Sequence, residues 1–123
     1  MSHIRNIFVV DDDDFFRQML VDSLSKTPRC SIKPFASGEE CIENLLIENP
    51  DIVILDYTLN DVNPQARNGL QILQEIKKVL PAVHVIMLSG QSKYGVATQT
   101  IAKGTEHYVI KDNDSFKNIK SII

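Results

Sequence analysis

Four apolar runs of this sequence end in residues whose side chains can do chemistry. Residues 11–14 are four consecutive aspartates behind one run, and Asp56, Ser89 and Lys111 close or follow three others. Carboxylate oxygens are the ligands that Mg²⁺ favours in proteins, usually together with retained water molecules. A hydroxyl and an amine would add hydrogen-bond donors and a positive charge to the same site. Such a site requires a fold that brings the four run ends together.

The alternation of apolar runs and helical patterns predicts that fold. Five apolar runs predict strands, at about residues 7–10, 31–35, 51–56, 83–88 and 107–110. The second is the weakest and belongs at a sheet edge, because Pro34 has no N–H to donate to a neighbour. Apolar strands that alternate with helices are typical of a parallel sheet covered on both faces. We therefore expect an α/β domain, with a doubly wound, five-stranded parallel sheet and five helices on both faces.

Capping and helix-breaking residues set the predicted helix ends. Ser37 and Glu40 have the spacing of a capping box, in which the serine oxygen accepts from the Glu40 amide and the glutamate carboxylate reaches back. Pro28 ends the first helix, and Asp114 or Ser115 caps the last. The second helix is predicted to end at about residue 48. The third is predicted to begin near Gly69 and to end before Pro81, and the fourth covers about residues 94–103, before Gly104.

Composition predicts one soluble domain over residues 1–123. The chain is 43% apolar and 24% charged, as in ordinary globular proteins. Its net charge of -3 and pI near 5.5 argue against a nucleic-acid-binding surface, which needs a basic patch. No run reaches the roughly 18 apolar residues of a membrane span. Cys30 and Cys41 could form a single disulfide, but they lack metal-ligand spacing, and we favour free thiols and a reducing, cytosolic setting.

The end of the chain is the least ordinary part of the sequence. Ile122 and Ile123 are two consecutive isoleucines at the terminus, which is unusual for a natural protein end. We therefore expect a domain taken from a longer protein, with a complete single domain as the alternative.

The carboxyl ends of parallel strands are where ligands bind in open sheets. If the first and third strands are neighbours, about 4.8 Å apart, Asp56 meets Asp11 and Asp12. Two charges about 4 Å apart repel by on the order of 4 kcal/mol at an effective dielectric constant near 20, and a divalent cation removes that repulsion. We therefore expect Mg²⁺ here. The alternative is that the aspartates only begin a helix, which we favour for Asp13 and Asp14.

Each remaining candidate also has an ordinary structural interpretation. Asp56 is of a type that often forms turns, and Ser89 with Gly90 is a common turn pair. Lys111 on its own would be read as a solvated surface amine. Their shared position at strand ends is what favours a functional site.

Four segments resemble the receiver domain of two-component response regulators, the CheY-like family. The segments are IFVVDDDDFFRQML, DIVILDYTL, VIMLSGQ and HYVIKD, and their order and spacing fit the family over essentially the whole chain. The resemblance implies a flavodoxin-like strand order, 2-1-3-4-5. It also implies a role for each candidate residue.

By this resemblance Asp56 is the phosphoacceptor. Asp11 and Asp12 are the acidic pair that binds Mg²⁺, or Mn²⁺ in its place, and Asp12 is favoured as the direct ligand. Asp56 itself and the backbone carbonyl of Thr58 complete the protein's share of the metal ligands.

The resemblance also implies the residues that contact the phosphoryl group. Ser89 would hydrogen-bond to it, and Lys111 would pair with its charge. Tyr108 stands where the family often has an aromatic side chain that changes rotamer on phosphorylation. The alternative for Tyr108 is a strand aromatic half buried against a helix.

The implied function is signalling by phosphoryl transfer. A sensor histidine kinase, a phosphotransfer protein or a small donor supplies the group, and the domain switches conformation to signal to an output partner or a C-terminal effector domain. The domain is expected to be cytoplasmic, with no membrane and no direct nucleic acid contact. It is not expected to be an enzyme beyond its own phosphorylation and dephosphorylation.

The sequence departs from the family pattern in three places. Asn60 replaces a usual proline and begins a loop, residues 60–68, that is several residues longer than usual. Lengthening a loop costs little, so a neutral insertion is favoured over a partner or phosphate contact by Arg67. Asp112 replaces a proline that usually follows a cis bond, so we predict a trans Lys111–Asp112 peptide and a shifted loop, which puts the reach of Lys111 in question. Ser89 replaces a commoner threonine and keeps the hydroxyl.

Three other functions share part of this sequence pattern. Phosphatases that form an aspartyl phosphate resemble a D-x-D pattern, whereas Thr58 stands where the second carboxylate would be needed as general acid and base. A flavin-binding domain of this fold is disfavoured because four aspartates after the first strand would repel a phosphate. A domain that only binds a partner stays open because of Asp112.

Overall fold

Five strands form one parallel sheet in this computed structural model, which describes residues 4–90, 100–101 and 103–123. Their order is β2-β1-β3-β4-β5, and every neighbouring pair is parallel. The predicted fold class and strand order are therefore confirmed. The strands are β1 (Arg5–Val10), β2 (Cys30–Phe35), β3 (Ile52–Asp56), β4 (His84–Ser89) and β5 (His107–Ile110).

Four helices are present in the described residues, one fewer than predicted. They are α1 (Asp14–Leu24), α2 (Gly38–Glu48), α3 (Gly69–Val79) and α4 (Ser115–Ile122). The helix predicted at about residues 94–103 lies mostly outside the described residues. Within that range, Thr100 and Ile101 are described and are helical. None of the helices in this part of the chain has the length and apolar character that crossing a membrane requires.

The strands alternate their side chains between two apolar cores, one on each face of the sheet. Residues of β1, β3 and β4 pack against α2 and α3 on one face, and the neighbouring residues of the same strands pack against α1 and α4 on the other. This double coverage explains why the sequence shows unbroken apolar runs. β2 lies at an edge, as predicted, and contains Pro34.

The cysteines follow the same division between core and surface. Neither forms a disulfide, as predicted. Cys41 is fully buried on α2, and burial raises the pKa of its thiol to about 12. Its thiol is therefore a packing group with little thiolate character.

The helix ends differ in detail from the predicted caps. Ser37 accepts from the Glu40 amide at 3.2 Å, which is the serine half of the predicted box. A complete capping box is found instead at α3, where Asn68 and Gln71 each accept from the other's backbone amide, at 3.0 and 2.9 Å. Asp114 precedes α4 as predicted, but its side chain makes no capping hydrogen bond.

The start of α3 lies directly against the end of β3. The amide of Gly69 donates to the carbonyl oxygen of Tyr57 at 2.7 Å. A Cβ atom on Gly69 would lie 2.4 Å from the carbonyl oxygen of Asp56 and 2.5 Å from the Cα atom of Tyr57. Both neighbours are backbone and cannot rotate away. Glycine is therefore needed where α3 meets the strand that ends in Asp56.

We expect Gly69→Ala to lower the free energy of unfolding by about 1–3 kcal/mol, as overpacking does. Urea unfolding measures this directly. Gly90→Ala is the matched control, since a Cβ atom there meets no described atom within 4 Å. Equal stability of the two variants would show that the α3 contact tolerates a side chain.

Candidate functional site

Three carboxylates meet at the carboxyl ends of β1 and β3. The parallel register pairs Val10 with Leu55, so Asp11 and Asp56 follow side by side. Oxygen atoms of Asp11, Asp12 and Asp56 all lie within 4.8 Å of one another. Asp11 and Asp56 are only 1% and 3% exposed, whereas Asp12 is half-buried. The geometry thus places two buried acids and one accessible acid at one point.

Lys111 reaches this cluster from the end of β5. Its Nζ atom lies 2.9 Å from Oδ2 of Asp11 and 3.4 Å from Oδ2 of Asp56. The same atom lies 4.4 Å from the centroid of the Phe16 ring, so a cation–π contact supports the ammonium from α1. The Lys111–Asp112 peptide is trans, as predicted. The missing proline therefore does not prevent the lysine from reaching Asp56.

The charges of this cluster are only partly balanced. Burial, reinforced by the charge of Asp11, raises the pKa of Asp56 to about 8, although Lys111 and the amide of Thr58 act to lower it. Burial also acts to lower the pKa of Lys111, but Asp56 and Asp11 raise it overall. One ammonium faces two buried carboxylates, and the half-buried Asp12 adds a third. The negative charge of these carboxylates therefore exceeds the positive charge of Lys111, and the site favours binding of a further cation.

The donor set fits a hard divalent cation. The oxygens come from carboxylates, the ligand type that such cations favour, and no soft sulfur or imidazole ligand lies among them. Thr58 lies beside Asp56, to whose Oδ1 its amide donates at 3.3 Å. The role of the Thr58 carbonyl as a ligand stays a prediction.

Ser89 and Tyr108 occupy different surroundings. Ser89 is fully buried at the end of β4, one residue past Leu88, which pairs with Asp56 in the sheet register. Its carbonyl accepts from the Lys111 amide at 2.8 Å, which ties the two strand ends together. Tyr108 is half-buried and packs against the core under α2 and α3. Its proposed rotamer change stays a prediction.

The long loop contains the contact that sequence reasoning missed. Oδ2 of Asp12 accepts from the backbone amides of both Asp61 and Val62, each at 3.1 Å. Arg67 contacts Glu39 through its own amide, at 3.1 Å from Oε2, while its side chain is exposed. No residue type signals these contacts, because backbone atoms make them.

The chain matches the family model of the response regulator receiver domain over residues 7–123. It belongs to this family. The receiver domain is 27% identical to the chemotaxis protein CheY of Thermotoga maritima, over 87% of this chain and 85% of that protein. It is 25% identical to CheY of Bacillus subtilis, over 99% and 96% of the two chains. It is therefore a receiver domain of CheY type.

Solved structures agree with this assignment. The BeF3-activated DrrB receiver domain superposes with a TM-score of 0.81 at 25% identity, over 97% of this chain and 94% of that one. A CheY-like receiver domain protein of Methanospirillum hungatei shares the fold, with a TM-score of 0.83 at 19% identity, over 97% and 90%. A receiver-like segment also occurs within a larger protein, the protein-glutamate methylesterase/protein-glutamine glutaminase of Oceanobacillus iheyensis. That protein is 33% identical over 94% of this chain, which spans 32% of its length.

We expect the metal-free receiver domain to lose stability as the pH rises from about 4 to about 8. The folded-state pKa of Asp56 is raised from 3.8 to about 8, so the folded state holds a proton that the unfolded chain has already released. The slope is at most about 1.4 kcal/mol per pH unit. Asp56→Asn removes the slope and raises the free energy of unfolding at pH 8.

Urea unfolding in a chelator at several pH values measures this effect. Asp22→Asn, which changes an exposed aspartate on α1, is the control and keeps the wild-type slope. A slope that is the same in Asp56→Asn and the wild type would contradict the assigned charge imbalance.

Proposed function

We propose that this receiver domain accepts a phosphoryl group on Asp56 from the phosphohistidine of a sensor histidine kinase or phosphotransfer protein, in a Mg²⁺-dependent reaction. The observation that carries the proposal is Asp56 itself, a buried strand-end carboxylate held 3.4 Å from Lys111 and within 4.8 Å of two further aspartates. A small phosphodonor can replace the protein donor.

The residues divide the work of transfer between them. Asp11, Asp12 and Asp56, with the backbone carbonyl of Thr58, would hold Mg²⁺, or Mn²⁺ in its place. When bound, the ion would neutralise charge on the phosphoryl oxygens and offset repulsion among the carboxylates. The site thereby allows an ionised Asp56 to approach an anionic phosphoryl group.

The reaction itself is an in-line displacement at phosphorus. A carboxylate oxygen of Asp56 forms the new bond, the phosphorus–nitrogen bond of the donor breaks, and its electron pair returns to the imidazole, which takes up a proton. Lys111 pairs with an equatorial oxygen of the transferred group, and the Ser89 hydroxyl donates to another. Because Lys111 already lies beside Asp56, little reorganisation is needed during transfer.

The domain is proposed to catalyse only its own phosphorylation and dephosphorylation. The residue two positions after Asp56 is Thr58, so the chain lacks the second carboxylate at the D-x-D position that aspartyl-phosphate phosphatases use. The acyl phosphate on Asp56 therefore persists long enough to act as a signal.

The signal is proposed to be a conformational switch read by an output partner or a C-terminal effector domain. A phosphoryl group on Asp56 attracts the Ser89 hydroxyl and the Lys111 ammonium, which changes the conformation of the face around Tyr108. The relatives named for chemotaxis, which are matched over most of their length, support a separate output partner. The larger methylesterase with a similar segment supports an effector domain on the same chain. We propose a cytoplasmic location without direct membrane or nucleic acid contact.

Incubation with Mg²⁺ and acetyl phosphate should add one phosphoryl group to the wild type. Intact-mass measurement detects the adduct, which should be stable in acid and labile in base. Asp56→Asn should abolish it, and Asp22→Asn should retain it. An unmodified wild type would favour a domain that only binds partners, and continuous donor hydrolysis at a high rate would favour an enzyme.

Lys111→Met should slow phosphorylation by about 10²–10³-fold, the usual loss when one donor to a developing charge is removed. Lys117→Met, an exposed lysine on α4, is the matched control and should react at the wild-type rate. Equal rates in the two variants would remove Lys111 from the reaction.

A further inference from the structure

The loop after β3 holds one oxygen of Asp12 with two backbone donors. Oδ2 of Asp12 accepts from the amides of Asp61 and Val62, both at 3.1 Å. Charge-assisted hydrogen bonds of this kind are stronger than neutral ones and fix the plane of the carboxylate. The loop amides thus use the acceptor capacity of Oδ2, which favours Oδ1 as the Asp12 oxygen available to a metal ion.

The loop itself is an ordered segment with a second anchor. The amide of Arg67 donates to Oε2 of Glu39 on α2, at 3.1 Å. Between the anchors, Asn63 closes a turn by accepting from the Gln65 amide with its side chain and from the Ala66 amide with its carbonyl, at 3.1 and 3.0 Å. Asn68 then caps α3. Residues 61–67 of the loop are thus held by hydrogen bonds at several points.

Beyond Leu59, which is buried in the apolar core, hydrogen bonds more than apolar packing determine where the loop lies. The Val62 side chain is 75% exposed and contributes little buried area. A cavity of about 380 Å³ separates the loop from the start of α2, with Ser37, Leu59 and Asn63 among its lining residues. The contact to Asp12 is therefore the main tie between the first half of the loop and the functional site.

We propose that the Asp61 and Val62 amides are a positioning device for Asp12, which selects the carboxylate oxygen presented to the metal and so raises the Mg²⁺ affinity of this receiver domain. The inference rests on the proposed Mg²⁺-dependent function and deepens it. Groups that orient a metal ligand from behind typically contribute 10- to 100-fold in metal affinity. The longer loop thereby tunes how much Mg²⁺ the domain needs for phosphorylation.

Proline substitution tests the proposal because it removes a backbone N–H. Val62→Pro deletes one of the two donors to Asp12, and Val62→Ala is the matched control that keeps the donor and shortens the same exposed side chain. Isothermal titration with MgCl₂ should show about 10-fold weaker binding for Val62→Pro than for Val62→Ala. The phosphorylation rate with acetyl phosphate should need about 10-fold more Mg²⁺ for half-saturation and return to within about twofold at saturating Mg²⁺.

That recovery separates positioning from a general disturbance of the fold, which would lower the saturated rate as well. Equal Mg²⁺ affinities in folded Val62→Pro and Val62→Ala would overturn the proposal. If Val62→Pro fails to fold, Asp61→Pro against Asp61→Ala makes the same comparison with the other donor, and equal affinities there overturn it too. A wild type that binds no Mg²⁺ or accepts no phosphoryl group would instead overturn the proposed function.

Discussion

The crowding of buried carboxylates at the ends of β1 and β3 is the constraint on which the rest of the site depends. Asp11 and Asp56 are almost fully buried, and a single ammonium, that of Lys111, lies between them. Burial costs a charged carboxylate several kcal/mol unless it is paired, and one cation cannot pair fully with two anions. Burial and, after it, the neighbouring charge of Asp11 raise the pKa of Asp56 to about 8. An excess of carboxylate charge of this kind favours the binding of a divalent cation.

The fold supplies the contacts that hold this unfavourable arrangement in place. β1 and β3 are neighbours inside the sheet, with an apolar core on each face. The sheet hydrogen bonds and both cores therefore hold the two strand ends that carry Asp11 and Asp56 close together. Gly69 brings α3 against the backbone of Asp56 without a side chain between them. Phe16 lies under the Lys111 ammonium and also packs edge-on against Phe116, with ring centroids 5.5 Å apart, so α1 and α4 jointly position the cation.

Most of the fold could be predicted because it depends on side-chain pattern. Unbroken apolar runs located the strands, and Gly69 and Asp114 marked helix starts within a residue. The site acids and Lys111 could be found because they follow strands whose ends must meet. Backbone contacts could not be found in this way. The Asn68–Gln71 capping box has an asparagine where the usual pattern has serine or threonine. The backbone amides of Asp61 and Val62 carry no signature in residue type.

Two of the three departures from the family pattern have different physical consequences. Losing the proline after Lys111 leaves the geometry of the lysine intact, because the Lys111 amide is already fixed to the Ser89 carbonyl and the side chain rests on Phe16. Neither contact requires a particular peptide isomer at the next residue. The longer loop does change the site, since it brings two donors to Asp12. A residue change after β5 therefore leaves the contacts of Lys111 in place, whereas the longer loop after β3 directly contacts Asp12, one of the three carboxylates of the site.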